Sequence, residues 1–137
     1  MSGYKTPTPD VIALVEEKRR RHLPVYDDLD ALIGKTVQEA FTAAAAGDWE
    51  TMGELMDINQ GLMDAMGVND ETLSALVYAL RDDPRILGAK ISGSGLGDCV
   101  VGLGRAMRTD WNVPSLGIQI DPDGLKTREL PPEEAAP

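Results

Sequence analysis

The stretch GAKISGSGLGDCVVGLG, residues 88–104, sets glycines and serines between β-type residues, and its centre has the composition of an anion-holding loop. That centre is Gly93, Ser94, Gly95, Leu96, Gly97 and Asp98. Alternate glycines let the backbone adopt positive φ and approach a ligand closely, and successive N–H groups can converge on an anion. The same spacing also suits a tight connection between two paired strands, and the loop alone leaves both readings open. It is neither the G-x-x-x-x-G-K-[ST] of a P-loop nor the G-x-G-x-x-G of a dinucleotide fold. Asp98 opposes direct phosphate contact unless a metal or another cation stands between them. Ser92 and Ser94 have no base beside them in sequence, since the sole histidine, His22, is remote, and this argues against a hydrolase.

Other chemistry is sparse. Asp57 and Asp64 are seven residues apart on one predicted helix face, a separation of about 10 Å, too far to share a proton. They are expected at the surface or a cleft edge. Asn59 and Gln60 either face solvent or border a cleft. One cysteine, Cys99, and one histidine leave no internal disulfide and no Cys/His zinc site, so no metal ligands are assigned. The net charge of -10 excludes nucleic acid and anionic membrane as partners, since both demand excess basic side chains. With neither a membrane-length apolar run nor a signal-peptide pattern, the chain is expected in the cytoplasm.

Four helices must position the loop. Helix 9–21 is predicted with Thr8 as cap and Val11, Ile12, Leu14 and Val15 inward, and the basic residues 18–21 crowd its carbonyl end. Helix 28–46 carries Leu29, Leu32, Ile33, Val37, Ala40, Phe41 and Ala44 at helical spacing and stops at Gly47. Asp48 caps helix 49–66, which has a methionine-rich face and ends at Gly67. Asn69 or Asp70 caps helix 70–82. Strands follow at 86–92, 99–104 and 116–120, with a turn at 121–124 and a short return strand in LKTREL. Helices followed by strands imply an α+β fold, four helices packed on a small antiparallel sheet. Residues 1–130 form one domain and 131–137 a disordered tail rich in proline and acid.

LMDINQGLMDAMGVNDETLSALVYAL followed by LGAKISGSGLGDCVVGLG resembles the C-terminal part of the GHMP-family small-molecule kinases, the mevalonate kinases most of all. That family has an L-M-x-x-N-Q/H-x-L-L-x-x-L-G-V-S helix pair leading into K-L-T-G-A-G-G-G-G-C. Here Lys90, Ile91, Ser92, Gly93, Ser94, Gly95, Leu96, Gly97, Asp98 and Cys99 occupy the places of the latter. SGYKTPTPDVI is similar to the family's strand-to-helix entry into this domain. Leu96 and Asp98 stand where the family has glycine, and Ser92 where mevalonate kinases have threonine. S-G-x-G-x-G-D-C is closer to the phosphomevalonate kinases, whereas the helices favour mevalonate.

The resemblance implies a ferredoxin-like GHMP C-terminal domain and phosphoryl transfer from ATP to an alcohol, mevalonate or phosphomevalonate, in isoprenoid precursor synthesis. ATP and Mg²⁺ are implied for the complete kinase, with neither assigned to this chain alone. Ser92, Gly93, Ser94, Gly95, Leu96, Gly97 and Asp98 would form its cofactor-binding loop. The family's P-x-x-x-G-L-G-S-S-A phosphate loop and its catalytic aspartate and lysine belong to the N-terminal domain. No catalytic residue is therefore assigned here, and the isolated chain is expected to be inactive. The partner would be an N-terminal kinase half or a second copy. The alternative is a non-catalytic metabolite-binding or dimerisation module of the same fold. Because nearly all of the family's first strand is missing before SGYKTP, an unpaired sheet edge or an exposed apolar patch is expected. Gly95→Val is expected to abolish activity and spare the fold.

Overall fold

The computed structural model describes residues 2–108 and 111–119. In chain order the elements are α1 (Thr8–Arg21), α2 (Leu23–Ala46), α3 (Trp49–Met66), α4 (Glu71–Arg81), β1 (Ile86–Ser92) and β2 (Cys99–Gly104). β1 and β2 form an antiparallel pair, Ile91 opposite Val100 and Ser92 opposite Cys99, with an irregularity between Ile86 and Gly88. Among the described residues, four helices and a two-stranded sheet bear out the α+β expectation. α3 and α4 contact the sheet, α2 packs along α3, and α1 rests against α2. None of the described helices is long and apolar enough to cross a membrane.

The caps of the last two helices follow directly from residue type. Asp48 accepts from the Thr51 amide at 3.1 Å and Asp70 from the Leu73 amide at 2.9 Å, each satisfying a donor that the helix start would otherwise leave orphaned. The Asp48 carboxyl is held below its ordinary pKa by the Thr51 backbone and side-chain bonds. At α1 the expectation fails. The N-cap is Pro7, with no side-chain cap, and Thr8 lies inside the helix. α2 also starts earlier than predicted, at Leu23, because Pro24 fits a first helical turn where a missing N–H costs nothing. His22 closes α1, its N–H reaching the carbonyls of Lys18 and Arg19, and serves as the N-cap of α2.

Leu73, Ile91, Val77 and Ala89 centre the core, where α4 meets the sheet. The predicted inner faces of α1 and α2 are only partly used. Val11 is buried, but Ile12, Leu32, Val37 and Phe41 are exposed, Phe41 by 77%. α2 packs through Tyr26, Thr36 and Ala43 instead. Among the described residues the third strand is not formed: 116–119 has no strand conformation, and Leu116 and Ile118 are 84% and 82% exposed. Ile120, the 121–124 turn, LKTREL and the 131–137 tail lie outside the described residues.

Asp83, 2% exposed, ties the segment entering β1 to the segment leaving β2, at one end of the sheet. It accepts from the Arg85 amide at 3.0 Å, the Met107 amide at 2.6 Å and the Arg108 amide at 3.1 Å. Burial alone would raise its pKa, but these three donors and the nearby Arg85 charge hold it below the ordinary carboxylate value. A carboxyl lowered in the folded state stabilises fully above the unfolded value of about 4, and that stability is lost as pH falls through the folded value. The melting-temperature gap between wild type and Asp83→Asn is therefore expected to be widest near neutrality and to close in acid. A gap constant from pH 7 to 2 would contradict this role.

Candidate functional site

The glycine loop is held in its shape from both sides. Gly93, Gly95, Leu96, Gly97 and Asp98 all have positive φ, at 98°, 84°, 51°, 112° and 76°. For Leu96 and Asp98 that conformation is strained, by roughly 1–3 kcal/mol each, and persists only where the surroundings enforce it. The Leu96 amide donates to the Val68 carbonyl at 2.8 Å, and the Leu96 carbonyl accepts from the Thr6 amide at 3.1 Å. The Asp98 amide donates to the Tyr4 carbonyl at 2.7 Å, while the Ser2 amide, at 2.7 Å, and hydroxyl, at 3.0 Å, donate to the Asp98 carbonyl. Residues 2–6 thus lie against the loop as an antiparallel bridge, Lys5 opposite Gly97.

The loop glycines have different jobs. A Cβ on Gly95 would stand 2.1 Å from the Val68 carbonyl oxygen, and one on Gly97 would stand 2.6 Å from that of Tyr4. Both are seats for neighbouring backbone. Gly95→Val would therefore disturb the fold itself, which corrects the expectation that it spares it. Gly93 is exposed, and a Cβ there would meet only the Asp98 carboxylate, at 3.3 Å. Among the described residues, the amides of Ser94, Gly95 and Gly97 donate to no backbone carbonyl. The Ser94 hydroxyl is 3.4 Å from that of Thr8, in the first turn of α1. Ser92 ends β1 opposite Cys99, the thiol of which reaches the Ser92 carbonyl at 3.7 Å.

Asp98, the residue least suited to an anion site, has its charge answered by Lys5 at 2.7 Å. The pair is exposed, and Asp98 raises the Lys5 pKa, so this ammonium stays charged. On the other side of the same segment, Asp70 raises the pKa of the Tyr4 phenol. Lys5, Thr8 and Val68 escaped notice in the sequence as parts of this site. SGYKTP was visible as part of a strand-to-helix entry, and nothing in it showed that it returns to the loop 90 residues later.

The polar residues of α3 have a structural task. Asp57 Oδ1 accepts from the Ala89 amide at 2.8 Å and pairs with Arg81 at 2.8 Å; Gln60 Oε1 accepts from the Ile91 amide at 2.7 Å. Gln60 is buried, so neither the solvent nor the cleft-edge reading holds for it. Asn59 donates to the Thr36 hydroxyl, joining α3 to α2, and Asp64 accepts from Asn69. No three His, Cys, Asp or Glu side chains gather as metal ligands among the described residues.

A family model described as "GHMP kinases C terminal" matches residues 40–109. The mevalonate kinase of Pyrococcus furiosus is 35% identical over 94% of this chain and 42% of its own length. That of Methanothermobacter thermautotrophicus is 32% identical over 82% of this chain and 42% of its own length. Among solved structures, that of L. major mevalonate kinase in complex with R-mevalonate superposes with a TM-score of 0.72 at 28% identity, covering 81% of this chain and 33% of that one. The chain accordingly spans less than half the length of these relatives.

Proposed function

This chain belongs to the GHMP kinase family, within its C-terminal domain, and from that premise we propose that it forms the C-terminal half of a mevalonate kinase. It would act with an N-terminal half that supplies the main phosphate loop and the catalytic aspartate and lysine. The observation that carries the reading is the seated glycine loop, in a chain that aligns over 94% of its length with a mevalonate kinase. The relatives' names favour mevalonate over phosphomevalonate as acceptor. The free thiol of Cys99 suits a reducing, cytoplasmic setting.

Phosphoryl transfer is mostly positioning and charge stabilisation, so a half without a base can still be indispensable. The loop fits that task. The amides of Ser94, Gly95 and Gly97 are unclaimed by backbone carbonyls, and Gly93 leaves the outer face open to phosphate or carboxylate oxygens. Ser92, Gly93, Ser94, Gly95, Leu96, Gly97 and Asp98, the expected cofactor-binding loop, would lie where the ATP phosphates meet the acceptor and line the acceptor side there, with Ser94 and Thr8 adding hydroxyls. Lys5 keeps the Asp98 carboxylate from repelling that anion. ATP supplies the phosphoryl group, and Mg²⁺ would be held by the nucleotide and the N-terminal half.

The test is turnover with mevalonate and with phosphomevalonate, each with Mg·ATP, after mixing the chain with the N-terminal half of a mevalonate kinase. Phosphorylation of mevalonate by the mixture, and by neither half alone, is expected. A mixture that takes only phosphomevalonate would reassign the acceptor; one inert to both would overturn the proposal.

A further inference from the structure

Among the described residues no strand pairs with the second edge of β1, and the polar groups there are met by side chains. In an antiparallel pair alternate residues turn their N–H and C=O toward the partner strand, so Ala89 and Ile91 present theirs away from β2. Asp57 accepts from the Ala89 amide, and Arg81 donates to the Ala89 carbonyl at 2.9 Å. Gln60 accepts from the Ile91 amide at 2.7 Å, and Lys90 Nζ reaches the Ile91 carbonyl at 2.6 Å. α3 lies close enough to do this because Gly53 and Gly88 meet backbone to backbone.

Gln60 differs from its neighbours. It is 6% exposed, and the amide it holds belongs to the fully buried Ile91. Only Ser92 separates that residue from the glycine loop. The opposite flank of the loop is fixed by Val68, which follows the C-terminus of the same helix. One rigid element, α3 with its C-terminal turn, therefore anchors both the strand that feeds the loop and the loop itself.

We infer that Gln60 is a positioning residue, holding the end of β1 through the Ile91 amide so that the 93–98 loop keeps its ligand-binding shape. The catalytic part of this inference rests on the proposed kinase function; the geometric part does not. Two readouts keep them apart.

The first is amide hydrogen exchange on the chain itself, well below melting. Gln60→Met keeps the length of the side chain but leaves the Ile91 N–H without its acceptor, which costs enough to raise local opening about tenfold. Faster exchange is expected at Ile91, Leu96 and Asp98. Gln60→Glu, which still offers an acceptor, should restore protection. Asn59→Ala, one residue away but bonded to α2, should leave these amides unchanged. Equal exchange in Gln60→Met and wild type, or an equal rise in Asn59→Ala, would overturn the inference.

The second readout is kinetic, in the two-half mixture. Gln60→Met should raise KM for the acceptor about tenfold more than Asn59→Ala does, with rescue by Gln60→Glu. If the mixture is inert with the wild-type chain, the function fails while the exchange result stands. If exchange rises but KM does not, the loop is anchored by Gln60 yet is not the acceptor site, and the inference as stated is overturned.

Discussion

Gly88→Ala is expected to lower the melting temperature by about 10 °C or more, or to prevent folding altogether. A Cβ at position 88 would stand 2.1 Å from the Gly53 carbonyl oxygen, and one at Gly53 would stand 2.4 Å from that of Leu87. Both contacts are with backbone, so no side-chain rotation can relieve them. Overpacking a well-packed interface costs about 1–3 kcal/mol where side chains can yield, and this site belongs at or above the top of that range. For a domain of this size about 3 kcal/mol corresponds to the stated shift and is a large part of total stability. The damage should extend beyond local strain, because pushing α3 off β1 breaks the Asp57 and Gln60 bonds together. Thermal melting followed by circular dichroism measures it. A shift under 5 °C would show that α3 and β1 can separate without cost.

Gly93→Ala is expected to do the reverse, sparing the fold and removing activity. Position 93 is exposed, and the added methyl meets only the Asp98 carboxylate, at 3.3 Å. Its φ of 98° makes alanine strained, by roughly 1–2 kcal/mol, a modest loss of stability. The methyl stands on the face proposed to receive the acceptor, where a displacement of about 1 Å costs on the order of a hundredfold in rate. Turnover by the two-half mixture should fall about a hundredfold, with a melting temperature within about 10 °C of wild type.

The parts of the fold legible in the sequence were those fixed by local chemistry. Asp48 and Asp70 announce helix starts, Gly47 and Gly67 announce ends, and the β-type residues on each side of the glycine loop mark the two strands. What stayed hidden depends on residues far apart in the chain. Gly53 and Gly88 look ordinary until a helix and a strand are brought together. Gln60 reads as a solvent-facing or cleft-edge amide until the Ile91 amide is placed beside it, and nothing local in the sequence shows that Asp83 ties down Met107 and Arg108. The core face of α2 was over-read because apolar spacing shows which face can be buried and not what is present to bury it, as Phe41 demonstrates. At the site, the loop was visible but its other wall was not: Lys5, Thr8 and Val68 become part of it only through the return of residues 2–6 to the loop and the close approach of Val68.

We propose that this chain brings the acceptor side of a phosphoryl-transfer site and that the catalytic groups come from an N-terminal half. The most direct measurement is mevalonate phosphorylation with Mg·ATP by the chain alone, by the N-terminal half alone, by their mixture, and by the mixture carrying Gly93→Ala. Turnover only in the mixture, reduced about a hundredfold by Gly93→Ala, is the predicted result. Turnover by the chain alone, or full turnover in the Gly93→Ala mixture, would contradict it.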